Sequence, residues 1–445
     1  MSEFLGLPRF DLRANTPARA EHAERWRRLC ARSAGLDGAA DEAAAAIVAD
    51  VAARGDVAVA EYTARFEDRE LSAEDFELST VHARAALEAI EPELRSALET
   101  ARDRIAAFHR TQLPATTGLE GEGERLHSRA TALRRVAVYA PGGTAAYPSS
   151  VLMTAVPAKI AGVREVCLFT PRPSEVVLAA AALAGVDRIF QIGGAQAIAA
   201  AAFGTAAVPR VDKIVGPGNA YVTAAKRRVF GRCDIDSIAG PSEILVVADA
   251  SADPGLVAAD LISQAEHDRL ACAIVVTDDP SLPERVDEAL RAQLADLPRR
   301  DIATASLTDF GGCVLVDGRD DLVREANAYA PEHLELLVED ARALVPALDA
   351  AGAIFVGAWT PEAAGDYTAG PSHVLPTAGG ARFSSPLGVW DFIKYTSVLE
   401  LAPETLRAQS RAITTLARAE GLEGHARAVE RRLAEPAKER GGDEG

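Results

Sequence analysis

The sequence predicts an α/β fold: two tandem Rossmann-like parallel-sheet domains, suggesting an internal duplication, with a helical N-terminal segment and a helical C-terminal arm. From Arg134 onward, short apolar runs end in Gly or Pro and give way to Ala-rich helical stretches, as in VAVYAPGG, VCLFTPRP, IFQIGG and KIVGPG. Strands that are apolar on both faces signal parallel pairing through right-handed helical crossovers. A second block repeats the theme with EILVVAD, a helix carrying GLVAADLISQAEH, then AIVVTDD, CVLVDG, LELLVED and AIFVGA, although the two blocks share no evident identity.

The opening, from about residue 20 to 110, is rich in Ala, Glu, Arg and Leu. In AADEAAAAIVADVAARGDVAVAEYTARF the apolar positions return every three or four residues, the period of a helix with one buried face. From Ser384 the strand pattern gives way to a charged helical arm ending in AEPAKERGGDEG, whose last residues are expected to be disordered. Two uncharged stretches, Val136 to Ala158 and Ile189 to Pro209, have the length of membrane spans. Pro141, Pro148 and Pro157 break the first, Gly193-Gly194, Gln196 and Gly204 interrupt the second, and Ala dominates where Leu is required, so both are expected to be buried core.

A chain of 445 residues, 48% hydrophobic and 25% charged, holds enough material for two or three domains. Its net charge of -18 argues against nucleic-acid or anionic-membrane partners, which need clustered Lys and Arg to displace counterions. The cysteines, Cys30, Cys167, Cys233, Cys272 and Cys313, are odd in number, far apart and without C-x-x-C spacing, as in a reduced cytosolic protein. MSEFLGLPRFDLRAN has neither a basic leader nor an apolar signal core, so a cytoplasmic location is expected.

Four histidines in the second half stand near a carboxylate or carboxamide: Gln264-x-x-His267, Glu332-His333, Asp366 with His373, and Glu420 with His425. Histidine ligates metals and titrates near neutrality, and carboxylates supply oxygen ligands and proton acceptors, so the pattern points to a metal site coupled to acid–base chemistry. His22, His82, His109 and His127 lie among Arg, Glu and Ala and read as surface residues. Gln264 and His267 project from one face of a predicted helix, although such a pair alone is as a rule a solvated face. Asp366 and His373 sit in AAGDYTAGPSHVLPT, an irregular loop between Gly365 and Gly370-Pro371, where a lone Asp would otherwise serve as a turn cap.

Glu332-His333 follows Ala-Pro, which disfavours helix at Ala330 and leaves two titratable groups at the start of an apolar strand. Neighbours on a strand face opposite ways, so both reach one site only where the backbone is irregular or the cleft wraps around them; otherwise they are a surface pair. Gly142-Gly143, Gly193-Gly194 and Gly216-Pro217-Gly218-Asn219 each end a strand and open a helix, a place that favours anions. No segment spells G-x-G-x-x-G with an acidic partner further on, so an ordinary Rossmann cofactor site is not supported.

Taken in order, the segments YAPGGTAAYPSSVLM, GGAQAIAA, VDKIVGPGNAYV, AGPSEILVVAD, DLISQAEHD, YAPEHLEL, GDYTAGPSHVLPT and EGLEGHA resemble histidinol dehydrogenase over nearly the whole chain. One departure is visible: Ser372 stands where the family pattern has Asn before the histidine. The resemblance implies a cytoplasmic, zinc-containing, NAD-dependent enzyme that oxidises L-histidinol to L-histidine through the aldehyde, with one zinc per subunit. It implies zinc ligands at Gln264, His267, Asp366 and His425, residues that also face the substrate. Further substrate contacts would come from Ser242, Glu332 or His333, His373 and Glu420, and NAD contacts from Tyr139, Gln196 and Asn219.

His333 would serve as the base in both hydride transfers and Glu332 would activate the water that adds to the aldehyde, with no thiol intermediate. The implied partners are L-histidinol, NAD and a second copy of the chain, in a homodimer with shared active sites. The expected organisation is an N-terminal segment over 1–22, a first α/β domain over 23–130 with 240–383 carrying most of the zinc and catalytic site, an NAD-binding α/β domain over 131–239, and a helical arm over 384–445 swapped into the partner subunit. Two rivals stand beside this reading: a dehydrogenase of the same fold acting on another small polar alcohol such as a sulfonated diol, and a non-catalytic metabolite-binding module. Glu420 and His425 favour histidinol, and retention of Glu332-His333 and the ligand set disfavours the binding module.

Overall fold

The computed structural model describes residues 4–32, 38–115, 117–142 and 147–434. The expected disordered tail, from 435 on, lies outside them, as does Gly143. The chain forms two compact units, Met1–Leu113 with Ala132–Phe392, and Pro114–Thr131 with Ile393–Gly445.

The first unit opens with β1 (Arg9–Asp11), α1 (Arg19–Cys30), α2 (Ala39–Arg54), α3 (Asp56–Glu67), β2 (Glu77–Leu78), α4 (Thr80–Ala89) and α5 (Pro92–Arg110). After a hairpin of β3 (Thr117–Gly121) and β4 (Glu124–Ala132), which belongs to the second unit, strands and helices alternate. They are β5 (Arg135–Tyr139), α6 (Pro148–Ile160), β6 (Glu165–Phe169), α7 (Glu175–Ala184), β7 (Arg188–Phe190), α8 (Gly194–Phe203), β8 (Lys213–Val215), α9 (Ala220–Val229) and β9 (Asp234–Ile235). The sheet order is β2-β7-β6-β5-β8-β9, parallel throughout except for β2. The uncharged stretches expected as core are core: α6 buries nine consecutive residues from Ser150 to Ala158. Among the described residues no helix is long and apolar enough to cross a membrane.

The alternation then repeats with β10 (Glu243–Ala248), α10 (Pro254–Ala265), β11 (Cys272–Thr277), α11 (Leu282–Leu294), α12 (Arg300–Asp309), β12 (Gly312–Leu315), α13 (Arg319–Tyr329), β13 (His333–Leu337) and β14 (Ala353–Val356), followed by the short α14 (Glu362–Tyr367). The second sheet is β1-β12-β11-β10-β13-β14, wholly parallel. In each sheet the first strand of its block lies between the second and the fourth, and one extra strand from the opening region is added at the edge beside the third. The fold is thus mixed α/β with parallel sheets, as the apolar runs require.

Three features differ from the sequence reading. The expected organisation groups the opening helices with the 240–383 segment, yet Ile47, Val48 and Val51 of α2 pack with Tyr139, Phe169 and Ile198, and Leu98 and Ile105 of α5 pack with Leu152 and Val166, residues of the β5 sheet and its covering helices. A helix pattern specifies an apolar face and says nothing of which sheet will cover it. The arm beyond Ser384 is not wholly helical, because β15 (Ile393–Leu401) precedes α15 (Pro403–Ala419) and α16 (Glu423–Leu433) and pairs in the order β15-β4-β3. Its side chains are mostly exposed, so it lacks the apolar run that marks the core strands. His109, read as a surface residue, is fully buried, with Nδ1 2.9 Å from the Ile105 carbonyl oxygen.

Candidate active site

Most of the predicted residues converge at the amino-terminal ends of β10 and β13. Helices that cross over between parallel strands run antiparallel to them, so the carboxyl end of α10 is at this same edge. Gln264 lies in its last turn and His267 just beyond its Glu266 cap. The negative end of the helix dipole there favours a cation.

Gln264 is fully buried, and among the described residues neither its Oε1 nor its Nε2 has a hydrogen-bond partner. A buried amide without partners is costly, and a metal ion is one way to satisfy it. Beside it, His267, Glu362 and Asp366 each offer a ligand atom, all within 4.8 Å of one another. Nitrogen and carboxylate oxygen at this spacing suit zinc, so the donor set fits the expected ion. Glu362 was missed in the sequence. Its signal was present, because Glu362 and Asp366 are four apart on α14 and therefore on one helix face. Burial raises the Asp366 pKa, the Glu362 charge raises it further, and His333 and His267 oppose the shift.

Glu332 and His333 are both buried and share one anchor. The Glu243 backbone N–H donates to Glu332 Oε2 at 2.9 Å, and His333 Nδ1 lies 2.9 Å from the Glu243 carbonyl oxygen. Neighbouring side chains on a strand diverge, but Glu332 precedes β13, after Ala330 at φ 52 and Pro331, and its carboxylate turns back to 3.7 Å from His333 Nδ1. With Nδ1–H committed to a carbonyl, Nε2 is the basic nitrogen. It lies 3.9 Å from Glu362 Oε1. Burial pushes Glu332 up to about 8 against the pull of His333. On His333 burial favours the neutral ring, but the charges of Glu332, Glu362 and Asp366 outweigh it and the pKa is raised.

His373 closes the group from another direction. Its Nδ1 lies 3.0 Å from the Asp366 carbonyl oxygen and its Nε2 3.4 Å from Ser150 Oγ on α6, so it stands where the two sheets' elements meet. Burial pushes it down to about 4, with the His333 and His267 charges adding to the shift and the Asp366 carbonyl opposing it. Ser372 is buried, donates to the Met153 carbonyl at 3.3 Å and accepts from the Val374 N–H at 3.2 Å, which holds this loop on α6. Ser242 is half-buried directly before β10.

The candidate NAD residues lie at the carboxyl ends of β5, β7 and β8, the opposite polarity. Helices α8 and α9 begin here, and their amino ends favour anions. Tyr139 is buried, accepts from the Gly194 N–H at 3.1 Å, and burial raises its phenol to about 12. Gln196 is buried, and its Oε1 has no partner among the described residues. Asn219 caps α9, accepting from the Tyr221 and Val222 N–H groups at 3.1 Å each. Gly216 has φ +109, and a Cβ there would meet the Tyr139 carbonyl oxygen at 2.2 Å, so only glycine lets these two strand ends approach. The two helix amino ends suit a dinucleotide phosphate group, and the unpartnered Gln196 oxygen suits a donor such as a ribose hydroxyl or a carboxamide N–H.

Glu420 and His425 belong to the second unit, Glu420 at the end of α15 and His425 on α16, and both are exposed. The family model described as histidinol dehydrogenase matches residues 31–433. The histidinol dehydrogenase of Ralstonia nicotianae is 50% identical over 432 residues, covering 95% of this chain and 98% of that protein. That of Rhizobium meliloti is 53% identical over 393 residues, covering 87% and 91%. The crystal structure of histidinol dehydrogenase from Elizabethkingia anophelis superimposes with a TM-score of 0.88 at 34% identity, covering 96% of this chain and 98% of that one.

Proposed function

The chain belongs to the histidinol dehydrogenase family, and on that premise we propose that it oxidises L-histidinol to L-histidine through histidinal, with NAD as hydride acceptor and one zinc per subunit. The observation that supports this most directly is the cluster of His267, Glu362 and Asp366, with the buried, unpartnered Gln264 one turn before His267 and an oriented Glu332–His333 pair 3.9 Å from Glu362. Gln264, His267 and Asp366 would hold the ion, with His425 of a second chain completing the set in a homodimer. Bound there, zinc would fix the imidazole and amino nitrogens of the substrate.

NAD, when bound, would supply the hydride acceptor; His333 Nε2, its ring held by the Glu243 carbonyl, takes the hydroxyl proton. Glu332, anchored by the Glu243 N–H, takes a proton from the water that adds to the aldehyde, while His333 returns its proton to the aldehyde oxygen and is free to act as base again. The gem-diol then loses a second hydride, with His333 again the base. Ser242 and His373, with Glu420 of a second chain, would contact the substrate, and Tyr139, Gln196 and Asn219 would contact the cofactor. No thiol takes part: Cys167, Cys233, Cys272 and Cys313 are buried and Cys30 is half-buried, and burial raises each thiol to about 11 or 12.

The test is NAD reduction by the zinc-loaded protein with histidinol against a panel of small polar alcohols that includes a sulfonated diol. Histidinol is expected to be the preferred substrate, with two NADH formed per molecule. Preference for another alcohol would replace this reading with the rival dehydrogenase, and activity on none would favour the binding module.

A further inference from the structure

Both groups of the acid–base pair hang on one residue, Glu243, and the structure points to what holds that residue in place. Its carboxylate is buried, and Arg32, from the segment after α1, forms a two-pronged ion pair with it. The same guanidinium donates to the Tyr329 carbonyl oxygen at 2.9 Å and lies 3.5 Å from the centroid of the Tyr329 ring. Tyr329 is stacked in turn on Trp26, whose indole N–H donates to Glu325 at 2.7 Å. The Ala378 N–H adds a contact to Glu243 at 3.2 Å. Arg32 therefore ties the amino end of β10 to the carboxyl end of α13, directly before the Ala330-Pro331 turn that delivers Glu332 and His333. Ala330, at φ 52, is in the left-handed region that a Cβ disfavours, so the turn depends on the contacts around it.

We propose that Arg32 is a positioning residue for the Glu332–His333 pair, an inference that rests on the assignment of that pair as the reacting acid–base groups. A buried ion pair adds little net stability over an apolar pair of the same shape, so its value here is the fixed geometry. Without the guanidinium, Glu243 is left as an uncompensated buried charge and moves toward water or takes up a proton. Its peptide shifts in either case, and a displacement of about 1 Å at a reacting group costs up to roughly 100-fold in rate. No hydrogen bond or ion pair joins Arg32 to Gln264, His267, Glu362 or Asp366 among the described residues, so the metal, and the substrate held through it, are spared the direct effect.

The experiment compares the zinc-loaded parent chain with Arg32→Lys, Arg32→Met and Arg32→Met/Glu243→Gln, measuring kcat, KM for histidinol, zinc content and Tm. Lys keeps the charge but not the planar fork. Expected is a kcat lowered roughly 10- to 100-fold in Arg32→Met, with KM within about threefold and zinc unchanged, and an intermediate kcat in Arg32→Lys. The double variant removes the buried charge and should regain Tm without regaining kcat. If Arg32→Met does not fold, Arg32→Lys and the double variant carry the test. Parent-like kcat in either of those, or losses in KM and zinc content that match the loss in kcat, overturns the inference. A parent chain that does not oxidise histidinol overturns the functional reading instead, and is seen before any variant is made.

Discussion

His333 Nε2 and Glu362 Oε1 stand 3.9 Å apart, and among the described residues neither atom has a hydrogen-bond partner. The separation is too long for a hydrogen bond and short enough for the carboxylate charge to favour the imidazolium. Glu362→Gln keeps the shape and removes the charge. Losing it lowers the His333 pKa, so the acidic limb of kcat against pH should move to lower pH, while zinc affinity falls roughly 10–100-fold. A pH profile and zinc titration identical to the parent would leave Glu362 outside the site.

Direct loss of a ligand should be more severe. One equivalent of zinc per chain is expected, chelation should abolish turnover while leaving the circular-dichroism spectrum intact, and His267→Asn should bind zinc weakly. If His267→Asn binds zinc and turns over histidinol like the parent, the ion is held elsewhere.

The two oxidations should separate by residue. Glu332→Gln is expected to slow single-turnover NADH formation from histidinal more than from histidinol, whereas His333→Asn slows both, because each hydride transfer needs its own proton acceptor. Equal losses in both steps for Glu332→Gln would remove its role in activating water. Replacing all five cysteines by Ser should spare catalysis, and an inactive but folded product would bring back a thiol intermediate.

Acid sensitivity of the metal-free protein has a predicted sign. Burial holds His373 at about 4 against an ordinary 6.5, so between these values the unfolded chain binds a proton that the folded chain does not. Stability from this group is therefore complete above 6.5 and is lost as pH falls toward 4, by on the order of 3 kcal/mol. His373→Gln should flatten that part of the denaturant-midpoint curve relative to the parent. Parallel curves would show that His373 is not held neutral.

A shared site predicts complementation. Asp366→Ala and His425→Asn chains should each be inactive, and refolding them together should recover up to about a quarter of parent activity, since half the dimers are mixed and each has one intact site. Verified mixed dimers that remain inactive would mean that each arm serves its own chain.

The strands legible in the sequence are those buried on both faces: β10 and β11 are buried at every position, and their apolar runs announce them. Strand β15 was hidden because its residues are mostly exposed and look like the helices after it. At the site, histidines marked the place, since few other side chains combine ligation with titration near neutrality. Glu362 was passed over because a carboxylate without a nearby histidine in sequence looks like any surface acid, and only the turn of α14 brings it beside Asp366. Arg32 was invisible for a different reason: its partners Glu243 and Tyr329 are brought to it by tertiary packing alone.

The edge strand β1 pairs Arg9 with Cys313, so the sheet that carries Glu332 and His333 is not closed until a strand made much later arrives. During synthesis at roughly 5–20 residues per second, the amino-terminal segment waits on the order of 15–60 s for its neighbour. Over that interval the apolar face of α1, with Trp26, has only Phe10 and Leu12 of the early chain to cover it, while Leu245, Val314 and Tyr329 are still to be made. The β5 sheet, whose strands and covering helices all lie before residue 236, can consolidate first. Folding of this chain is thus expected to be ordered, with the β10 sheet maturing last and the early amino-terminal segment the stretch most in need of a chaperone.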